Sequence, residues 1–370
     1  MKNKAIVVFS GFNQRAVIAF LRVLTNKKLN YAIIACSKKD TIFLTEYKKH
    51  VASIRKVYNL ELNDLVNSLQ IVKEKLNVNK LIIAPTTEAL NRFFLKHRLI
   101  FEQKGFILPL VQKELYERLS DKIKFTNLCN ENDIKTPFEY NNIDKIKPPF
   151  VAKPKTYFSS NNNVFTPVLI LNELDKSNFI NKYSVKDFYF QEYITGNSIY
   201  LLSYFHQDGS VYMFSQENLV QQAGGKSIIA AISTNFHLSN EAKRYKKILQ
   251  SLNFFGFIMI EIKGNNYMIE ANPRFWGPSQ LFVDAKVPLF EVFLHDQGIL
   301  SNKPVNESYA DNNVTYFWYG GIISSILKNE RIIYHNYTSD NLVFNLHKLL
   351  SLDIYRRKDT IELFKTEVKL

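Results

Sequence analysis

The sequence has few of the features that define disulfide-rich, cysteine-metal or membrane-spanning proteins. Only two cysteines, Cys36 and Cys129, occur among its 370 residues, so neither a disulfide framework nor a cysteine metal site is indicated. No apolar run reaches the length of a membrane span, and residues 1–4 lead into a short strand instead of a signal-peptide core. We therefore expect a cytoplasmic protein in which both cysteines are buried apolar residues.

The sequence also lacks a dense basic block, although its formal charge is +14, from 48 Lys and Arg against 34 Asp and Glu. That charge favours anionic partners such as nucleotides, nucleic acid or an anionic membrane surface. The basic residues are spread along the chain as lysine pairs, and no nucleic-acid-binding motif accompanies them. Solvated helix faces explain most of these lysines, and we do not favour a nucleic-acid partner.

The composition that is present is globular, because 46% of the residues are hydrophobic, including 29 Phe and 20 Tyr. A chain of this length is expected to form two or three domains. Over the first hundred residues, predicted strands alternate with predicted helices, which is the pattern of a small doubly wound α/β domain. The predicted strands cover residues 4–10, 31–36, 54–58 and 80–84, and the predicted helices cover residues 14–24 and 63–76.

Two loops of this domain carry polar residues that suggest a function. The first turn, GFNQRA at residues 11–16, lacks the G-x-G-x-x-G spacing of a dinucleotide site, so we assign it no cofactor. Thr86, Thr87 and Glu88 follow a strand end, where open α/β sheets place ligand contacts. The same residues suit the first turn of the next helix, and we favour this capping role.

The rest of the chain predicts mixed α+β structure, with a polar loop at 159–163 and a glycine loop, QAGGKS, at 222–227. Predicted strands cover 150–154, 164–171 and 188–193, a hairpin covers 199–212, and predicted helices cover 121–131, 240–252, 289–298 and 341–350.

The most informative stretch is a predicted β-hairpin within residues 254–281, whose two apolar strands flank a Gly-Asn-rich turn of two or four residues. Either turn predicts a register with Glu261 opposite Met268 and Met259 opposite Glu270. Strand alternation then places both glutamates on one face of the hairpin. That face also carries Met268, Asn272 and Arg274, whereas Ile260, Ile269 and Ala271 point into a core.

Two carboxylates at diagonal cross-strand positions repel each other, and the sequence offers no stabilising reason for them. A hard divalent cation such as Mg²⁺ takes oxygen ligands and is the natural compensation. Arg274 then offers a fixed fork to a phosphate or carboxylate oxygen. The alternative is a surface hairpin with a solvated polar face, but the paired Glu261 and the apolar opposite face favour a metal site.

In these motifs the chain resembles the ATP-grasp superfamily, specifically its carboxylate-amine ligase branch with a carbamoyl-phosphate-synthase-like ATP-binding domain. The resemblance covers roughly residues 1–295 and depends most on Glu261 with the segment IEANPRF. It implies an α/β and α+β protein in which an ATP-grasp fold follows a small Rossmann-like (pre-ATP-grasp) domain. The implied units are this domain at 1–112, the N-terminal subdomain at 113–190, the C-terminal subdomain with the metal site at 191–298, and a C-terminal extension at 299–370.

The resemblance also implies roles for the matching residues. Lys122 in SDK and Lys153 in VAKP match lysines that contact the phosphates of ATP, and Arg274 matches an arginine at the reacting phosphate. Lys153 and Arg274 are therefore the implied catalytic residues. The implied adenine hinge consists of Gln191, Glu192, Tyr193 and Ile194, and the implied ligands of Mg²⁺, or alternatively Mn²⁺, are Glu261, Glu270 and Asn272.

Two features depart from the family pattern. The segment after Lys153, PKTYFSSNNN, contains no glycine, although its Ser and Asn residues still offer donors for a phosphate-covering lid. Ser198 occupies the position where an acidic ribose contact is common, which weakens that detail of nucleotide binding. Lys226 in the GGKS loop lies where related enzymes place substrate or phosphate contacts.

The implied function is ATP-dependent ligation, in which a carboxylate becomes an acyl phosphate and an amine then forms an amide or peptide bond, with release of ADP and phosphate. The expected partners are small-molecule carboxylates and amines, such as an amino acid, peptide or amino sugar, and a homo-oligomer is allowed. The alternatives are a catalytically silent nucleotide-binding protein and phosphoryl or acyl transfer to another nucleophile. A third alternative, a nucleic-acid-binding protein, is supported only by the +14 charge.

Overall fold

The computed structural model describes residues 4–155, 167–305 and 313–369. Its N-terminal domain consists of β1 (Lys4–Phe9), α1 (Gln14–Asn26), β2 (Tyr31–Ala35), β3 (Val51–Ile54), α2 (Leu62–Leu76), β4 (Lys80–Ile83), α3 (Glu88–Lys96), α4 (Arg98–Gln103) and β5 (Phe106–Ile107). The strands form a parallel sheet in the order β3-β2-β1-β4-β5. Alternate residues of β1 pack on α1 at one face and on α2 and α3 at the other. Both faces are buried, as the continuous apolar runs predict.

Strand β3 lies earlier than predicted, at Val51–Ile54 instead of 54–58. Arg55 accounts for the difference, because its guanidinium donates to the backbone carbonyls of residues 57–59 at 2.5–3.2 Å. Carbonyls held in this way are not available to a sheet ladder, so the chain turns away from β2 after Arg55.

Helix α1 joins the N-terminal domain to the rest of the molecule. Every residue from 16 to 24 is buried, although the sequence predicted only one apolar face. The ring of Phe20 meets Phe275 edge-on, with centroids 5.1 Å apart. Just before the helix, the Asn13 amide donates to the carbonyls of Thr86 at 2.9 Å and Phe275 at 3.0 Å. The start of α1 is therefore fixed against two distant segments of the chain.

The middle part holds α5 (Lys113–Ser120), α6 (Lys122–Asn130), β6 (Glu139–Tyr140), β7 (Phe150–Pro154), β8 (Val168–Ile170), α7 (Glu173–Lys182) and β9 (Phe188–Glu192). Its strands form an antiparallel sheet in the order β6-β9-β7-β8. Asp121 caps α6 by accepting from the Lys124 N–H at 2.9 Å. The predicted loop at 159–163 and the first residues of the strand predicted at 164–171 lie outside the described residues.

The remaining elements are β10 (Ser198–Phe205), β11 (Val211–Gln222), β12 (Ile228–Thr234), α8 (Asn240–Ser251), β13 (Gly256–Lys263), β14 (Tyr267–Asn272), α9 (Gln280–Asp284), α10 (Leu289–Asp296), β15 (Thr315–Phe317), α11 (Tyr319–Leu327), β16 (Ile332–Tyr334), α12 (Ser339–Ser351) and α13 (Ile361–Glu367). The large sheet has the order β14-β13-β10-β11-β12-β15, and β16 pairs with β11. Residues 313–369, predicted as part of an extension, thus add two strands to this sheet.

The C-terminal segment also returns to α1. Arg22 pairs with Asp359 at 2.8 Å and donates to Gln280 Oε1 at 2.7 Å and to the carbonyl of Ile354 at 2.8 Å. This network holds the first domain, α9 and the C-terminal segment together. No helix in the three described ranges is both long enough and apolar enough to cross a bilayer.

Candidate functional site

The hairpin of β13 and β14 brings two carboxylates face to face. Glu261 lies directly opposite Glu270, and Met259 lies opposite Asn272. The predicted register, with Glu261 opposite Met268 and Met259 opposite Glu270, is therefore wrong. The turn spans residues 264–266, which neither predicted length allows, and a bulge follows between Glu261 and Ile262.

The bulge decides which side chains enter the core. Met268 pairs with Ile262 and is buried among apolar residues, so it does not share the face of Glu261 as predicted. Ile269, predicted to point into the core, instead lines a cavity. Glu261, Glu270 and Asn272 nevertheless lie on one face, as predicted, because opposed residues of antiparallel strands point the same way.

A first cavity of about 280 Å³ lies between the four-stranded sheet and the large sheet. Both glutamates of the hairpin line it, together with Lys122 from the start of α6 and Lys153 from the end of β7. The segment after β9 forms a further wall with Glu192, Tyr193, Ile194, Thr195 and Gly196.

An ion pair between Lys122 and Glu270 dominates the electrostatics of this cavity. Burial alone would raise the pKa of Glu270, but the Lys122 ammonium outweighs it and holds that pKa at about 2. The Asn272 amide also donates to Glu270 Oε1 at 2.9 Å. Glu270 is therefore ionised throughout the neutral range and offers an anionic oxygen to a cation.

Glu261 is 4% exposed and has its own cation, because Lys263 Nζ lies 3.3 Å from Glu261 Oε1. Ser198 donates to the same oxygen at 3.5 Å and accepts from Asn218 Nδ2 at 3.0 Å. Ser198 is fully buried and lines neither this cavity nor the second one described below. Ser198, which was predicted at the ribose position, therefore contacts Glu261 from the buried side.

Lys153 is 6% exposed and donates to the backbone carbonyl of Ile269 at 3.2 Å. Burial, reinforced by the nearby charge of Lys122, lowers the pKa of Lys153 to about 7. An ammonium in this setting gains from an anion brought beside it, since the anion favours the charged form.

Gln191, the first residue of the predicted adenine hinge, does not line this cavity. It pairs with Val151 on β7, so its side chain lies on the face that carries Lys153. Gln191 is 1% exposed, and neither its Oε1 nor its Nε2 has a hydrogen-bond partner among the residues the structure describes. A buried amide in this state offers one acceptor and one donor group to a bound polar molecule.

The donor set of the hairpin fits a hard cation. Glu261, Glu270 and Asn272 offer only carboxylate and amide oxygens, which suit Mg²⁺. In the described part of the chain no group of three or more His, Cys, Asp and Glu side chains could hold a metal ion. Such a cation would therefore complete its coordination with oxygens of a bound molecule and water.

Strand β16 supplies a wall of the first cavity that sequence reasoning missed. Ile333, Tyr334 and His335 line it. His335 shares a hydrogen bond with Gln221 Oε1 at 3.0 Å. Burial, with the charge of Lys263, lowers the pKa of His335 to about 4, so this imidazole is neutral at neutral pH. No motif in residues 299–370 signalled this contribution.

A second cavity of about 260 Å³ adjoins the first and shares Glu270 and Gly225 with it. Arg274 lines it and donates to the carbonyl of Phe275 at 2.7 Å and to Asn272 Oδ1 at 3.4 Å. Asn13, Arg15, Lys226, Trp276 and Gly277 also line it.

Lys226, Glu270, Asn272 and Arg274 of this second lining were singled out in the sequence, whereas Asn13 and Arg15 were not. Asn13 and Arg15 belong to the GFNQRA turn, whose only signal in the sequence was a weak nucleotide pattern. Thr87, by contrast, caps α3 by accepting from the Leu90 N–H at 3.4 Å, which confirms the favoured capping role.

No protein-family model and no curated protein sequence matches the chain. Solved structures similar to it include the biotin carboxylase domain of the Hydrogenobacter thermophilus 2-oxoglutarate carboxylase in complex with MgADP, ADP and bicarbonate. That likeness has a TM-score of 0.59 at 14% identity and covers 83% of this chain and 72% of that chain.

Two further similar structures have comparable scores. The Rhizobium etli pyruvate carboxylase gives a TM-score of 0.61 at 14% identity, covering 85% of this chain but only 30% of that chain. The N5-carboxyaminoimidazole ribonucleotide synthetase of Thermotoga maritima gives a TM-score of 0.52 at 16% identity, covering 83% of this chain and 78% of that chain. At these identities the likenesses establish the fold alone.

Proposed function

Because these likenesses confirm the predicted ATP-grasp fold, we propose that the protein is an ATP-dependent carboxylate-amine ligase, which forms an amide or peptide bond through an acyl phosphate. One observation carries the proposal, namely that Glu270 lines both cavities. A nucleotide in the first cavity and an acid in the second would meet at this carboxylate, which is the geometry that transfer of a phosphoryl group requires.

The first cavity has the groups that ATP needs. The segment from Glu192 to Gly196 lines this cavity and would supply backbone groups for the adenine edge, and Lys122 and Lys153 would contact the phosphates. Glu261 and Glu270 of this cavity, together with Asn272, which lines the second cavity, would hold Mg²⁺, which neutralises phosphate charge when bound. The pKa of Lys153 supports this role, because a buried amine with a pKa of about 7 becomes fully charged beside a phosphate.

The reaction needs no nucleophile from the protein. An oxygen of the acid bonds to the γ-phosphorus while the bond to the ADP oxygen breaks, giving an acyl phosphate. The amine nitrogen then bonds to the acyl carbon, loses a proton and expels inorganic phosphate. Lys153 and Arg274 would balance the negative charge that collects around the transferred group.

Incubation with MgATP and pools of amino acids, peptides, amino sugars and carboxylates tests this function, with ADP, phosphate and product mass followed together. Bicarbonate belongs among the acids, because the 2-oxoglutarate carboxylase domain binds it. We expect ADP release that depends on both an acid and an amine. Nucleotide binding without ADP release in any pool would contradict the ligase and favour a silent nucleotide-binding protein.

A further inference from the structure

Arg15 is held rigidly at one wall of the second cavity. Its Nη1 donates to the carbonyl of Ile228 at 2.8 Å and to the Tyr316 hydroxyl oxygen at 3.0 Å. Its guanidinium carbon lies 3.9 Å from the ring centroid of Trp318. The indole of Trp318 is itself fixed, because its Nε1 donates to Glu367 Oε2 at 2.9 Å. The guanidinium is therefore preorganised by three segments distant in sequence, namely β12, residues 316–318 and the end of α13.

This fixed charge has no carboxylate partner. Neither Arg15 nor Arg274 forms an ion pair within residues 4–155, 167–305 and 313–369. Glu367 compensates Arg15 only in part, because burial raises the pKa of Glu367 to about 7. A guanidinium fixed without an anion keeps an uncompensated positive charge and unused N–H donors. A bidentate oxyanion neutralises the charge and accepts hydrogen bonds from the donors.

Two donors in the lining of this cavity have no acceptor among the described residues. Nη2 of Arg15 faces Gly277, where an added Cβ would lie only 3.0 Å from it. Trp276 lines the same cavity, is 2% exposed, and has an Nε1 with no acceptor in the described structure. Arg274 is bonded to Asn272, next to Glu270. The two guanidiniums therefore have separate protein partners within one cavity.

We propose that Arg15 binds a second anionic group of the acid substrate, a carboxylate or a phosphate other than the carboxylate that is activated. The inference rests on the proposed ligase function and makes the acid substrate at least dianionic. One guanidinium then serves each anionic group, with Arg274 at the reacting end and Arg15 at the distal end. Gly277 lets its backbone approach the Arg15 guanidinium closely, since a Cβ there would lie 3.0 Å from Nη2.

The chain has only two tryptophans, and both lie at this site, so intrinsic fluorescence reports binding without ATP or turnover. The anion panel comprises acetate and glycine as monocarboxylates, succinate and aspartate as dicarboxylates, and O-phosphoserine and 3-phosphoglycerate as phosphorylated acids. We expect a saturable fluorescence change for one of the last two classes, at least 10-fold tighter than for monocarboxylates. Which class binds distinguishes a distal carboxylate from a distal phosphate.

Arg15→Gln is expected to weaken that binding about 10- to 100-fold, and Arg15→Lys less, because a charged hydrogen-bonded partner is lost or made less directional. Gly277→Ala, which crowds Nη2, is expected to weaken binding as well and replaces Arg15→Gln if that variant does not fold. Arg356, an exposed arginine, provides the matched control Arg356→Gln, which leaves binding unchanged.

Two outcomes separate this inference from the ligase function. Monocarboxylates that bind best, or Arg15→Gln and Gly277→Ala proteins that bind like the wild type, would overturn the distal anion site even if ADP is released. Arg15-dependent binding of a dianion without ADP release would leave the site standing and refute the ligase. A panel in which no anion changes the fluorescence also overturns the inference.

Discussion

The two cavities differ in how their charges are balanced. In the first, Glu270 pairs with Lys122 and Glu261 pairs with Lys263. In the second, Arg15 and Arg274 have no ion-pair partner among the described residues, and Lys226 pairs with Glu330 at 2.7 Å. A balanced site suits a ligand that arrives with its own counterion, whereas a site with unpaired guanidiniums suits a bare anion. The contrast fits MgATP in one cavity and an acid in the other.

The largest expected effect comes from Glu270, the residue that the two cavities share. Glu270→Gln removes a proposed metal ligand and leaves Lys122 without its partner, so we expect acid-dependent ADP release to fall by about 10³-fold or more. The exposed Glu114 offers the control Glu114→Gln, which keeps full activity. If the Glu270→Gln protein has unchanged circular dichroism and keeps activity within about 10-fold of wild type, the place where the two cavities meet is not the reaction centre.

Lys153 distinguishes the two cavities kinetically. Lys153→Met leaves a buried apolar side chain where a phosphate is proposed, so we expect kcat/KM for MgATP to fall about 10²-fold. The KM for the acid should stay within about twofold, because Lys153 does not line the second cavity. Steady-state kinetics with each substrate varied in turn measure both values, and the exposed Lys247 provides the control Lys247→Met. If Lys153→Met raised the KM for the acid as much as it lowered kcat/KM for MgATP, the proposed division of roles between the two cavities would be wrong.

The titration of Lys153 gives a smaller and independent signal. Its pKa is about 7 without nucleotide, and phosphate oxygens would raise it, so nucleotide binding should take up protons above pH 7. We expect uptake approaching about one proton at pH 8 and little at pH 6, where the amine is already charged. Calorimetry in buffers of different ionisation enthalpy measures this uptake. Lys153→Arg, which stays charged, should abolish it, and unchanged uptake in that variant would assign the proton to another group.

The first cavity was partly predictable, because strand alternation puts Glu261 and Glu270 on one face, and the family resemblance pointed to Lys122, Lys153 and residues 192–194. The predicted hairpin register was wrong, yet Glu261 and Glu270 still share a face for a definable reason. The turn at 264–266 shifts the pairing by one residue and the bulge at Ile269 shifts it by another. Two shifts of one residue restore the side-chain parity of a strand, so Glu261 and Glu270 remain on one face.

The second cavity could not be predicted in the same way. Arg15 is fixed by Ile228 and Tyr316, which lie 213 and 301 residues further along the chain. No local pattern encodes such contacts, and they form only when α1, β12 and β15 are assembled. His335 in the first cavity has the same origin, since its segment resembles no family motif and is placed by pairing of β16 with β11.

The smallest expected effect concerns Ser198, which the family pattern placed at the ribose and the structure places beneath Glu261. Its hydrogen bond to Glu261 is long at 3.5 Å, whereas the bond it accepts from Asn218 is 3.0 Å. Ser198→Ala should therefore change the KM for MgATP less than about threefold, while the unpaired Asn218 amide lowers the free energy of unfolding by about 1–2 kcal/mol. Denaturant unfolding and ATP titration measure the two quantities. A tenfold rise in KM with unchanged stability would instead mean that the nucleotide reaches β10, and the first cavity would then extend past Glu261.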